Sequence, residues 1–207
     1  MKQADPRRWL CGGPRAIIRG SMMAQPDHDP ARPSERTRVF ESRRFYVESR
    51  VYDRLGQAPL TRDVIVHPGA VVILPILDAD RIVMIRNVRH SVAEELLELP
   101  AGTLESGEEP IDAARRELVE ETGYETANIE PLVEFYASPG VMTELMRTYV
   151  ARDLTHVGQR LEDSERIVVE PTTFADAHRR LVDGRFRDGK TIAVLGTYFA
   201  RLRNPSA

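Results

Sequence analysis

One cysteine, Cys11, in 207 residues rules out an intrachain disulfide framework and fits a reducing compartment, so a cytoplasmic protein is expected. The five histidines show no paired spacing of the kind zinc sites use. Long hydrophobic runs are missing as well. The longest apolar stretch, 64–77, is broken by His67-Pro68-Gly69 and Pro75, so no membrane span is expected. Arg15 and Arg19 interrupt the apolar residues near the start, which argues against a signal peptide. A net charge of −3 gives no reason to expect nucleic acid or another polyanion as partner. What remains is an ordinary globular composition, long enough for one domain with extensions.

Residues 1–38 differ from the rest. They are rich in Arg and Pro and hold eight Lys/Arg against four Asp/Glu, a basic tail expected to be disordered. Met22 and Met23 offer alternative initiation points. From residue 39 the chain alternates β-formers with turns. Strands are expected at 39–51, 62–66, 69–77 and 81–87, with 69–77 buried at the centre of a sheet, and 94–99 leads on to 102–124. Helical periodicity then occupies 110–122. Strands follow at 129–137, 147–151 and 167–170, and helices at 174–181 and 191–203. Strands on both sides of one helix, with further helices at the end, predict an α+β domain over 39–203. A mixed sheet sandwiched by helices is the expected architecture, with a β-rich segment at its N-terminal side.

The most telling stretch is 102–124, GTLESGEEPIDAARRELVEETGY. Glu117, Glu120 and Glu121 fall within little more than one helical turn, beside Arg116. Like-charge pairs at that spacing destabilise a helix by roughly 0.2–0.5 kcal/mol each, so a cation is expected to neutralise them. An all-oxygen cluster suits a hard ion, Mg²⁺ or Mn²⁺. Glu117 and Glu121, four apart on one face, are the principal candidate metal ligands. Pro110 suits the first helical turn and Gly123 the C-terminal stop.

The spacing of Gly102, Glu108, Arg116, Glu117, Leu118, Glu120, Glu121 and Gly123 resembles the Nudix box, the signature of hydrolases that cut a nucleoside diphosphate linked to another group. Tyr124 departs softly from the pattern at its last apolar position. The flanks, Glu98-Leu99-Pro100-Ala101 before the box and Ser138-Pro139-Gly140 after it, resemble the ADP-ribose pyrophosphatase branch. Pro139 lies sixteen residues past Gly123, where that branch carries a proline, and Arg89 lies thirteen before Gly102. Nucleotide-sugar enzymes that act on GDP-mannose look similar in this region.

This resemblance implies an α/β/α sandwich and hydrolysis of ADP-ribose, or a close ADP-sugar, to AMP and a sugar phosphate. It adds the Ala101 carbonyl as a third metal ligand, with Glu120 joining the ligands or standing behind them. Arg116 orients Glu117 or a neighbouring carboxylate. In that branch the base is an acidic residue on a loop well after the box. The matching run here is Glu162-Asp163-Ser164-Glu165, with Asp163 in the best-matched position, Glu162 as a substitute and Glu165 completing a metal shell. Arg86 and Arg89 are candidates for the diphosphate or ribose, because guanidinium offers planar paired donors. Phe45 or Tyr46 is a candidate to stack on adenine; adjacent strand residues face opposite ways, so one of them alone qualifies. The branch also implies a homodimer.

Overall fold

The computed structural model describes residues 32–161 and 166–203. Seven strands precede the first helix: β1 (Glu35–Glu41), β2 (Tyr46–Arg54), β3 (Gln57–Val66), β4 (Ala70–Pro75), β5 (Arg81–Arg89), β6 (Glu94–Glu98) and β7 (Ala101–Thr103). Then come α1 (Pro110–Thr122), β8 (Tyr124–Glu125), β9 (Ile129–Tyr136), β10 (Leu145–Ala151), β11 (Thr155–His156) and β12 (Ile167–Thr173). The helices α2 (Phe174–Val182) and α3 (Gly189–Arg203) close the described chain.

Two sheets form the centre. One is mixed, in the order β7-β4-β10-β9, with β4 parallel to β10 and antiparallel to β7. The other is antiparallel, in the order β12-β5-β6. Strand alternation on β4 sets the layering. Val71 and Ile73 pack with Ala113, Ala114 and Leu118 of α1, while Val72 and Leu74 pack with Val194, Leu195 and Tyr198 of α3. A strand apolar on both faces is thereby covered by helices on both sides, which is the α/β/α arrangement expected. Among the described residues, no helix is long and apolar enough to cross a membrane.

The N-terminal boundary differs from expectation. β1 begins at Glu35, so 35–38 belong to a strand rather than to the tail, and 1–31 lie outside the described residues. The expected strand 39–51 is two strands of a hairpin. Ser42 turns the chain: its hydroxyl donates to the Phe45 carbonyl at 2.8 Å and accepts from the Phe45 amide at 3.2 Å. Together β1, β2 and β3 make a separate antiparallel meander. Its end is tied to the main domain where Ile65 and Met142 form a bridge, with the Ile65 amide donating to Val141 O at 3.0 Å.

Candidate active site

The box is a short strand, a loop and a helix. Pro110 opens α1 without leaving an amide unbonded, and Gly123 ends it in the left-handed region at φ 74°, its amide donating to Val119 O at 2.9 Å. The buried side of α1 contains Ala114 and Leu118 and also Glu117 and Glu121. These two carboxylates are 8% and 3% exposed, so each must be compensated locally. Glu121 accepts from the Ala101 amide at 2.8 Å, and Glu117 accepts from Arg116 Nη1 at 2.7 Å. Gly102 is where the strand makes room. A Cβ there would stand 1.8 Å from Glu117 Oε1 and 1.9 Å from its Cδ, so the Glu117 carboxylate occupies the space a side chain would take.

Arg116 is the hub of the cluster. It donates to both Glu108 oxygens, through Nε at 2.9 Å and Nη2 at 3.0 Å, and to Glu120 at 3.0 Å as well as to Glu117. Hydrogen bonding to Glu108 and the charge of Glu117 raise its pKa above the ordinary arginine value. Conversely, Arg116 holds the Glu108 carboxyl below its ordinary 4.5, helped by the Glu105 amide. A carboxylate with a depressed folded-state pKa contributes stability fully above its unfolded value and loses that contribution as pH falls through the folded one. Stability should therefore weaken below pH 4.5, and Glu108→Gln should flatten that acid limb. Thermal melts from about pH 3 to about pH 6 test this, and equal acid slopes for the two proteins would remove Glu108 from the account.

The other sequence candidates are only partly gathered here. Arg89 and Arg86 lie three apart on β5 and so take opposite faces. Arg89 binds the buried Glu98 through Nε at 2.8 Å and Nη2 at 2.6 Å, and its pKa is raised by this pair and, further away, by Glu121. Arg86 is held instead by Glu170 and by Glu95, so the two arginines do not serve one ligand. Phe45 packs on Phe40, and Tyr46 lies beneath the Arg38 guanidinium at 3.9 Å, both in the N-terminal meander. The box helix packs chiefly on β4, β5, β7, β8, β10 and β12. Pro139 is exposed in a tight turn where Ser138 O accepts from Val141 and Met142. Glu162, Asp163 and Glu165 lie outside the described residues.

Sequence reasoning passed over Glu98, quoted only as part of a motif, although it is fully buried beside the box strand. It also passed over the segment 157–160, which docks on the end of α1. Val157 N donates to Gly123 O at 2.8 Å, Gln159 Nε2 to Glu121 O at 2.7 Å and Arg160 N to Glu120 O at 3.1 Å.

Among the described residues, no three of His, Cys, Asp and Glu converge as a complete metal cluster. The donors present still suit a divalent ion. Glu117 and Glu121 are oxygen donors one turn apart on a buried face, and the first sits in a cradle open only because residue 102 is glycine. The sequence model of the NUDIX domain matches residues 66–193, more than half the chain. The chain belongs to the Nudix family. Its relatives include an ADP-ribose pyrophosphatase of Bacillus subtilis, 36% identical over 63% of this chain and 71% of that protein. A methanol dehydrogenase activator of Bacillus methanolicus is 37% identical, over 65% of this chain and 74% of its own. A solved structure described as an ADP compounds hydrolase superposes with a TM-score of 0.75 at 24% identity, covering 86% of this Nudix chain and 97% of that one. That likeness places the fold.

Proposed function

We propose that this Nudix protein hydrolyses the diphosphate of ADP-ribose, or of a closely related ADP-sugar, to AMP and a sugar phosphate. The reading is carried by the two buried carboxylates, Glu117 and Glu121, facing Ala101 and Gly102 within a complete box. The likeness to an ADP-ribose pyrophosphatase supports the substrate. Glu117, Glu121 and the Ala101 carbonyl would hold Mg²⁺, with Mn²⁺ as a substitute. When bound, such an ion neutralises phosphate oxygens and acidifies the attacking water.

The chain's own residues do the rest. Arg116 bridges Glu117 and Glu120 and favours the orientation in which both face the diphosphate. The Ala101 amide holds Glu121 in place. Arg89 offers its remaining N–H groups to the diphosphate, and one of Phe45 and Tyr46 stacks on the adenine. The run Glu162-Asp163-Ser164-Glu165 provides the base: Asp163 or Glu162 takes the water proton as the water oxygen attacks phosphorus, and the bridging P–O bond breaks. Glu165 adds an oxygen donor, and Pro139 shapes the turn bordering the substrate.

The direct test is chromatography of AMP released by purified protein with Mg²⁺ from ADP-ribose, ADP-glucose, GDP-mannose and 8-oxo-dGTP. AMP from ADP-ribose in preference to the others is expected, with Glu121→Gln falling to background while its melting curve stays normal. Cleavage of GDP-mannose or 8-oxo-dGTP instead would keep the machinery and discard the substrate. Binding of ADP-ribose without cleavage would point to a non-catalytic module.

We propose also that the protein works in the cytoplasm and that two copies associate through the N-terminal meander. Its β1 is exposed along its whole length, with Val39 57% and Phe40 53% exposed. A solution mass of one chain by light scattering would discard the dimer.

A further inference from the structure

Behind Arg89 lies a charged network that the chemistry above does not use. Glu98 is fully buried and is shared by Arg89, at 2.8 and 2.6 Å, and by the ammonium of Lys190. Lys190 also donates to Asp188 at 2.8 Å, and its side chain is only 10% exposed. Asp188 caps α3, accepting from the Thr191 amide at 2.9 Å and from its hydroxyl at 2.6 Å. The same Thr191 oxygen accepts from the Leu99 amide at 2.9 Å. Two residues on, the Ala101 amide holds Glu121. The start of α3 thus reaches the box by two routes, through Glu98 to Arg89 and through Leu99 to Ala101.

Charge within the network balances: two carboxylates, Glu98 and Asp188, face two cations, Arg89 and Lys190. Arg89 spends Nε and Nη2 on Glu98, while Nη1 meets no acceptor among the described residues. We propose that Lys190 is a positioning residue for the reaction: by neutralising Glu98 and Asp188 together, it leaves Arg89 an effective cation for the substrate diphosphate. Without it, an uncompensated negative charge would stand beside the arginine that must meet an anion. This rests on the substrate reading proposed above.

Lys190→Met should raise KM for ADP-ribose by about tenfold, with kcat changed far less, the range seen when outer partners of a site are removed. The double variant Lys190→Met with Asp188→Asn restores the balance and keeps a capping residue, so most of the KM should return. A purely structural lysine behaves otherwise: the melting temperature falls, the active fraction falls, and KM stays put. Unchanged KM in Lys190→Met, or no recovery in the double variant, overturns the proposal. Should Lys190→Met not fold, Lys190→Gln is read in the same way. A readout free of turnover is the ¹H–¹⁵N resonance of Arg89 Nε, assigned with Arg89→Lys. It should shift in Lys190→Met and return in the double variant, and an unmoved resonance counts against the role. If the wild type cleaves no ADP-ribose, the substrate reading fails while this resonance still decides the role of Lys190.

Discussion

Gly102→Ala should yield a folded protein that no longer turns over substrate. The added methyl would lie 1.8 Å from Glu117 Oε1 and 2.4 Å from Oε2, distances no pair of atoms tolerates. What it strikes is the end of a flexible side chain, so the backbone has no need to move. The Glu117 carboxylate swings off its rotamer, at a cost of about 0.5–1.5 kcal/mol, and exchanges its buried seat for water. Residue 102 does not have a positive φ, so alanine introduces no backbone strain. A melting temperature within a few degrees of the wild type is expected. Calorimetry should show weakened Mg²⁺ binding and AMP release should drop to background. Near-normal turnover in Gly102→Ala would mean that Glu117 is not needed where the structure has it.

Gly123→Ala, at the other end of the same box, should act in the opposite way and damage the fold first. Here the φ of 74° alone costs an alanine about 1–2 kcal/mol. The new Cβ would also lie 2.7 Å from Gln159 N and 2.8 Å from Gly158 C, which are backbone atoms and cannot rotate aside. Moving them breaks the hydrogen bonds from Val157 and Gly158 to Gly123 O and from Arg160 to Glu120 O, each worth about 1 kcal/mol. The sum is about 4–5 kcal/mol, or roughly 10–20 °C in melting temperature for a domain of this size. A melt within two degrees of wild type (about 0.5 kcal/mol) would show that 157–160 is not tightly seated on the helix. The two box glycines thus serve different ends, one making room for a carboxylate and the other for a crossing chain.

The sequence is most legible where local chemistry punctuates it. Pro110 and Gly123 delimit α1, and the helix ends where those residues say. The turn at Ser42–Phe45 was hidden because it uses a serine hydroxyl in place of glycine or proline, so 39–51 read as one strand. β3 was similarly underestimated: its first half, Gln57–Thr61, is mostly exposed and carries Pro59, and shows its strand character only through pairing with β2. In the site, a period of two separates Arg86 from Arg89 only because β5 runs on to Arg89, past the expected end of that strand at Asn87. The partnership of Glu98 with Arg89 depends on the hairpin register, and that with Lys190 joins residues 92 apart. No local pattern reports a contact of that range.

The parallel pairing of β4 with β10 has a consequence for the order in which the molecule can assemble. Ala70 meets Met146 and Pro75 meets Ala151, so this pairing closes a loop of roughly 75 residues. By contrast, β1, β2 and β3 are joined by turns of a few residues and can pair as soon as they are made. Long closures are slow because their entropy is lost before their contacts form. A nascent chain halted before Leu145 therefore carries the whole box, α1 included, but not the strand that completes the central sheet. By this reasoning catalytic competence is expected late on the folding route, after the local pairings of the meander.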